Sequence, residues 1–336
     1  MNRSRRTIAA LAALSIAAIG LSACSSPGTG NDKSGKKLTI AFVVGASADP
    51  FFLAMKIGAE KEAKALGVNL IFQGDATTYS SATQIPVVNQ VLAASPDGLA
   101  LVPTDPVALQ PAVIRAVAAG IPVVNVDTSV KDLKDVTSFI TGDNADGGAK
   151  AADALANAIS YKDGGKYQVV VGLSSATSTT NVARLDGFKK QIAAKYSGIE
   201  IVATGYSQSN PATANTNVNN WLTAYPDLNG IFAIDGTNAD GASSALKAKG
   251  LAGKIALVGY DAYKTNVDLI GTGVITALIA QDPAREGKLA VRDLVKAIKE
   301  GKKANIKKFV TLPNITLTKD TSAADLKKYT YVQNTN

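Results

Sequence analysis

Six short segments of this chain gather side-chain oxygens. They are residues 47–52 (Ser-Ala-Asp-Pro-Phe-Phe), 103–106 (Pro-Thr-Asp-Pro), 127–129 (Asp-Thr-Ser), 174–181, 235–238 (Asp-Gly-Thr-Asn) and 259–261 (Gly-Tyr-Asp). Most contain an aspartate. An ionised carboxylate only accepts hydrogen bonds, so a set of them suits a ligand rich in hydroxyl donors. Other chemistry is excluded by composition. The 336 residues include no histidine and one cysteine, Cys24. That removes Ser-His-Asp and Cys-His nucleophilic catalysis. It also removes zinc and most transition-metal sites, which need imidazole or thiolate. No calcium loop, phosphate loop or glycine-rich dinucleotide fingerprint is present. Neither a metal nor a cofactor is expected, and binding is the leading class of function.

The elements that position these segments alternate along the chain. Apolar runs rich in Val and Ile read as strands at residues 38–44, 68–72, 98–102, 121–126, 167–172, 199–204, 230–234, 254–258, 274–280 and 310–317. Amphipathic stretches between them read as helices at 51–66, 80–94, 106–119, 145–160, 181–196, 212–224, 239–249 and 284–299. In the first helix Phe52, Met55, Ala59, Ala63 and Leu66 share one face, with Lys56, Glu60, Lys61 and Lys64 outside. Strands alternating with helices imply βαβ units and mostly parallel sheets. The theme runs twice, which gives two doubly wound α/β lobes. Ligands of open α/β sheets sit beyond the carboxyl ends of the strands. Each of the six oxygen-rich segments follows a strand.

The N-terminus carries Arg3, Arg5 and Arg6 with no acid, then an uncharged apolar run over 8–21. That run has signal-peptide length and is short for a membrane span of about 20 residues. Leu21-Ser22-Ala23-Cys24 looks like a bacterial lipobox, in which Cys24 takes the diacylglyceryl group. An ordinary signal peptide with an unrelated cysteine is the alternative. Ser4-Arg5-Arg6 faintly resembles a twin-arginine signal, so both export routes stay open. Residues 1–23 are read as the signal peptide, and 24–37 as the lipidated cysteine and a flexible tether without large apolar side chains. The expected location is the outer face of the cytoplasmic membrane, held by the lipid at Cys24. Losing the leader arginines lowers the formal charge from +8 to +5. The late excess at Lys296, Lys299, Lys302, Lys303, Lys307 and Lys308 reads as a solvated helix face and loop, and no nucleic-acid partner is expected.

Ordered motifs then point to a family. They are Asp-Pro-Phe-Phe (49–52), Pro-Thr-Asp (103–105), Gly-Ile-Pro-Val-Val (120–124) with Asp127, Gly-Asp-Asn-x-x-Gly-Gly (142–148), Ala-Arg-x-x-Gly-Phe (183–188), Val-Gly-Tyr-Asp (258–261) and Ile-Ala-Gln (279–281). Over residues 38–317 the chain resembles the ribose-binding branch of the periplasmic binding proteins. The resemblance implies a type I fold with two doubly wound parallel-sheet lobes joined by a three-crossing hinge. The crossings fall near Gly142-Asp143, Gln281-Asp282 and Thr311-Pro313. The lobes are then 38–142 plus 282–311 and 143–281 plus 312–336. Closure about the hinge traps the ligand, a behaviour for which periplasmic binding proteins are a standard example.

The same resemblance implies the site residues. Asp127, Asp261 and Gln281 match ligand positions, and Asp235 falls where ribose binders have Asn. Phe51 and Phe52 match an aromatic pair that packs on a sugar's C–H face; Phe52 also fits the helix's buried face. Asp49 reads equally as a ligand acceptor and as an N-cap. Arg184 matches a motif arginine and reads also as half of a structural ion pair. Asn181 caps its helix or reaches the ligand. Thr128, kept in the implied ligand set, stands where members that hold aldopyranoses have Arg; Val182 replaces a second pocket arginine, and Val102 replaces a polar residue. The pocket so implied keeps acceptors and loses donors, which turns the expectation from ribose toward other pentoses and hexoses or a C4–C5 alditol such as xylitol or threitol. The expected partners are that ligand and an ABC permease with its ATPase, and the chain is expected to act as a monomer. A receptor for autoinducer-2 or sugar that feeds a signalling system is the alternative. Paired aspartates hydrolyse glycosides when they flank a scissile bond, but here they match a binding family, and no enzymatic activity is expected.

Overall fold

A computed structural model describes residues 37–331. The leader, the lipobox and Cys24 lie outside the described residues. The first half of the chain forms β1 (Thr39–Ala46), α1 (Pro50–Leu66), β2 (Asn69–Asp75), α2 (Ser81–Ala93), β3 (Gly98–Leu101), α3 (Gln110–Ala118), β4 (Val123–Val126) and β5 (Ser138–Gly142). The second forms α4 (Asn144–Ala158), β6 (Tyr167–Leu173), α5 (Thr179–Lys195), β7 (Ile199–Tyr206), α6 (Pro211–Ala224), β8 (Leu228–Ala233), α7 (Gly236–Ala248), β9 (Ala256–Tyr260), α8 (Lys264–Ile270) and β10 (Ala277–Ala280). The chain ends with α9 (Pro283–Glu300), β11 (Phe309–Leu312), β12 (Ile315–Thr318) and α10 (Ala323–Tyr329).

Two six-stranded sheets result, ordered β11-β5-β4-β3-β1-β2 and β12-β10-β9-β8-β6-β7. Every pairing is parallel except that of β10 with β12. The expected pair of doubly wound α/β lobes is therefore the observed architecture. Ile40 to Val44 in β1 are fully buried, as befits a parallel strand covered by helices on both faces.

Each sheet is backed by a helix pair in backbone contact. A Cβ on Gly58 of α1 would lie 1.8 Å from the Ala284 carbonyl oxygen, and one on Gly287 of α9 would lie 2.1 Å from that of Met55. The second sheet repeats the device. A Cβ on Gly148 of α4 would lie 2.0 Å from the Arg184 carbonyl oxygen, and one on Gly187 of α5 would lie 2.1 Å from that of Ala145. Glycine at both contact points lets α5 approach α4 closely, which sets the height of Arg184.

The chain passes between the sheets three times: from β5 to α4, from β10 to α9, and from β11 to β12. The three passages touch. Asn314 Nδ2 donates to the Asp143 carbonyl at 2.6 Å and to the Tyr260 hydroxyl at 2.8 Å. A Cβ on Gly142 would lie 2.8 Å from Gln281 Oε1.

Several elements differ from the sequence reading. The run 310–317 is two strands in two sheets, because Pro313 lacks an N–H and cannot continue a ladder. The helix expected over 106–119 begins only at Gln110, since Asp105 draws the Val107 and Ala108 N–H groups into a turn at 2.9 and 2.8 Å. The strand expected over 274–280 shortens to β10. Strand β5, whose Ser and Thr residues break up its apolar run, and the short helices α8 and α10 are additions.

Candidate functional site

The carboxyl ends of both sheets face one cavity. Of the residues singled out in the sequence, Asp49, Phe51, Phe52, Asp127, Asn181, Arg184, Asp235, Asp261 and Gln281 line it. Thr128 does not. Its hydroxyl donates to the Pro103 carbonyl at 2.7 Å, and the residue is 1% exposed. Asp127 has φ 60°, a left-handed turn that sends consecutive side chains in different directions. Thr128 therefore locks the loop while Asp127 faces the cavity.

The local roles of the aspartates differ. Asp49 caps α1 through a 2.8 Å bond from the Phe51 N–H. The same oxygen accepts the Tyr263 hydroxyl from the opposite side of the cavity. Asp235 caps α7 by accepting the Asn238 N–H at 2.9 Å, and also takes Thr237 Oγ1 at 2.8 Å and Asn238 Nδ2 at 2.9 Å. Asp261 Oδ1 accepts Gln281 Nε2 at 2.7 Å and the Tyr331 hydroxyl at 3.0 Å, while Oδ2 accepts the Gly236 N–H at 3.1 Å. Asp127 Oδ1 and Gln281 Oε1 are buried and have no hydrogen-bond partner among the described residues.

Among the described residues Arg184 is the only lysine or arginine lining the cavity. It is 3% exposed, donates through Nε to Asn144 Oδ1 at 2.8 Å and through Nη1 to the Ile234 carbonyl at 3.0 Å, and lies 3.8 Å over the Tyr260 ring. Asn181 is committed on one side, since its Oδ1 accepts Ser174 N at 2.9 Å, Ser174 Oγ at 3.1 Å and Ser175 N at 3.2 Å.

One guanidinium shares the cavity with four carboxyl groups, and burial governs the acidity of Asp49, Asp127 and Asp261. Burial pushes Asp49 up to about 7, against the bonds from Tyr263 and Phe51. Burial likewise pushes Asp127 up to about 7, with Arg184 opposing and Asp261 adding to the rise. Asp261 is raised by burial, opposed by Arg184 and the Gln281 bond.

Ser178, Thr180 and Thr237, from the oxygen-rich segments 174–181 and 235–238, also line the cavity, as do Tyr79 and Tyr263, which lie outside all six segments. Tyr79 stacks on Phe52 with centroids 6.4 Å apart and planes at 4°. It lies in the loop after β2, where the strand-end rule would have found it. Tyr263 sits two residues beyond Asp261. A second direct contact joins the two sides, from the Ser129 N–H to Thr179 Oγ1 at 3.1 Å.

Comparisons with known proteins agree with this geometry. Residues 40–303 match the family model described as periplasmic binding protein domain. The chain is 31% identical to the ribose import binding protein RbsB of Bacillus subtilis (strain 168) over 283 residues, covering 84% of this chain and 88% of that one. It is 25% identical over 312 residues to the xylitol-binding protein of Mycolicibacterium smegmatis, covering 92% and 85%. Among solved structures it superposes on an ABC transporter solute binding protein of Agrobacterium vitis bound with alpha-D-tagatopyranose, with a TM-score of 0.82, 29% identity, and 88% and 100% of the two chains covered.

Proposed function

The chain belongs to the periplasmic binding protein family, and from that premise we propose that it is the extracytoplasmic solute-binding component of a carbohydrate ABC importer. The observation that carries the proposal is the cavity itself. Strand-end carboxylates from two sheets, an aromatic pair and one guanidinium converge on one cavity, a small number of polar groups set among apolar rings as in small-ligand sites.

The ligand proposed is a neutral, hydroxyl-rich monosaccharide or a C4–C5 alditol. Hydroxyl donors would complete Asp127 Oδ1 and Gln281 Oε1, two buried acceptors on cavity-lining residues that have no partner among the described residues. Each hydrogen bond to an ionised carboxylate contributes about 1.5–3 kcal/mol net. Three of them, with a C–H face packed on Phe51, support micromolar binding, about −8 kcal/mol. The sugar and xylitol ligands named for the relatives fall within this class.

Asp49, Phe51, Phe52, Asp127, Asn181, Arg184, Asp235, Asp261 and Gln281 are the proposed contacts. The lobes, 38–142 with 282–311 and 143–281 with 312–336, are proposed to open and close about the three chain passages. Cys24 is proposed as the lipidated residue that holds the protein at the membrane's outer face beside a permease and its ATPase. Among the described residues no helix is long and apolar enough to cross a membrane.

A thermal-shift screen of the chain from about Lys36, against aldopentoses, aldohexoses, ketohexoses and alditols, tests the ligand class. At least one compound should raise the melting temperature by linkage. If none does, the carbohydrate reading falls. Metabolic labelling with palmitate, lost in a Cys24→Ser variant, tests the anchor.

A further inference from the structure

The C-terminal segment reaches the candidate site without lining it. Helix α10 is capped by Ser322, whose Oγ accepts the Asp325 N–H at 3.1 Å. Two residues beyond it, Tyr331 is 5% exposed. Its backbone N–H donates to the Ala262 carbonyl at 2.9 Å, one residue past Asp261. Its hydroxyl donates to Asp261 Oδ1 at 3.0 Å and accepts the Gln281 backbone N–H at 3.2 Å. Gln281 Nε2 closes the triangle on the same Asp261 oxygen at 2.7 Å. The Tyr331 ring lies 6.0 Å from Phe51 and 6.0 Å from Tyr263, centroid to centroid. One side chain thus touches both sides of the cavity and bonds to two of its polar residues.

We propose that Tyr331 is a positioning residue for ligand binding, through which the C-terminal segment holds Asp261 and Gln281 in place; this rests on the reading of those two as ligand contacts. Asp261 needs such support. It has φ 67°, a conformation that persists in a non-glycine residue only where surrounding contacts over-determine it. Tyr331 fixes the backbone just after it and the carboxylate at once. The donated hydroxyl also favours the ionised form of Asp261, in which both oxygens accept. Burial works the other way. Arg184, Gln281, Tyr331 and the Gly236 N–H act on this carboxyl group, and the neighbouring acids Asp49, Asp127, Asp235 and Glu286 interact with it through charge.

The test compares the unmodified chain with Tyr331→Phe, which keeps the ring, Tyr331→Ala, which removes it, and Tyr329→Phe on α10 as a control. Calorimetry gives affinity for the sugar or alditol that the thermal-shift panel selects, across pH 5–8. Carboxyl NMR follows Asp261 in the ligand-free protein. Tyr331→Phe should bind about 10-fold more weakly, the loss expected for one hydrogen bond to a charged group. Its acid limb of affinity should move to higher pH, Asp261 should titrate higher, and the melting temperature should stay within a few degrees. Tyr329→Phe should match the unmodified chain. Unchanged affinity and an unmoved Asp261 titration in Tyr331→Phe would overturn the proposal. So would variants that only lose melting temperature, which would make Tyr331 a packing residue. If no panel compound binds yet the Asp261 titration moves in Tyr331→Phe, the positioning role stands and the carbohydrate reading is what fails.

Discussion

Asp127 and Asp261 occupy the same place in the two sheets. Asp127 follows β4 and Asp261 follows β9, each immediately. Each is left-handed, with φ 60° and 67°. Each donates its backbone N–H to an isoleucine carbonyl on the neighbouring strand, Ile140 at 2.7 Å and Ile279 at 2.8 Å. A left-handed residue with a Cβ costs about 1–2 kcal/mol, and Asp is among the side chains that tolerate it best. The repeated conformation aims two carboxyl groups into one cavity from opposite sides.

The pair differs in what the carboxyl groups touch, and that separates two variants. Asp127 Oδ1 has no partner among the described residues, so Asp127→Asn relieves a buried acid. It should raise stability in urea by about 1 kcal/mol while weakening ligand affinity at least about 10-fold. Asp261 accepts three hydrogen bonds, so Asp261→Asn turns an amide N–H toward existing donors. It should lose about 1–3 kcal/mol of stability along with affinity. Equal stability effects in the two variants would contradict the assignment.

Ligand affinity should rise with pH between about 5 and 7. Asp49 and Asp127 are both raised from 3.8 to about 7 by burial. Their contribution to ligand-free stability is present below the unfolded value and is lost as pH rises toward 7. Ligand hydroxyls donate to the ionised form, so binding lowers both values and releases protons. Calorimetry in two buffers of different ionisation enthalpy measures this release at pH 6. Proton uptake on binding would contradict it.

The parts of this design that could be read from sequence follow from local rules. A buried run ending in an aspartate marks both a strand and its carboxyl end, which is enough to put Asp127, Asp235 and Asp261 at the cavity they line. Asp49 read both as cap and as acceptor, and the structure shows it capping α1 while bonding Tyr263. Tyr331 was not legible. Its partners lie 70 and 50 residues away, and nothing local marks it. Thr128 was misplaced because sequence adjacency to Asp127 does not report the left-handed turn between them. Strand β5 was missed because Ser138 and Thr141 break its apolar pattern. Both hydroxyls are used, Ser138 bonding the Lys307 carbonyl at 2.8 Å and Thr141 the Asp127 carbonyl at 2.7 Å.

Arg184 should not tolerate lysine. The guanidinium serves Asn144 and the Ile234 carbonyl at once while its Cζ sits 3.8 Å from the Tyr260 ring centroid. An ammonium has neither the fork nor the planar face. Arg184→Lys should lower unfolding free energy by about 2–3 kcal/mol, the scale of one or two charge-assisted hydrogen bonds. It should also weaken ligand binding, since the one cation among four carboxyl groups would be displaced. Urea unfolding and calorimetry on the same preparation check both. A variant with unchanged affinity would place Arg184 outside the binding set.

Among the described residues Glu286 is the one fully buried carboxyl group that the proposed binding set leaves unused. It lies in the first turn of α9, behind the cap that Asp282 makes with the Arg285 N–H at 3.0 Å. A helix N-terminus favours an anion. Here burial and then the charge of Asp127 outweigh that preference and push the group well above the ordinary glutamate range. Neither oxygen has a hydrogen-bond partner among the described residues. A raised acid stabilises the fold fully below its unfolded value of 4.5, and that contribution is lost as pH rises through the folded value. Glu286→Gln keeps the shape and removes the titration, so its stability should fall less between pH 6 and 8 than that of the unmodified chain. Glu286→Met removes the unpartnered oxygens and should raise stability by about 1–3 kcal/mol at pH 8, the cost of leaving such groups buried. Urea melts at pH 6 and pH 8 check both expectations. A Met variant less stable than the unmodified chain at pH 8 would show that the carboxylate has a stabilising partner in solution.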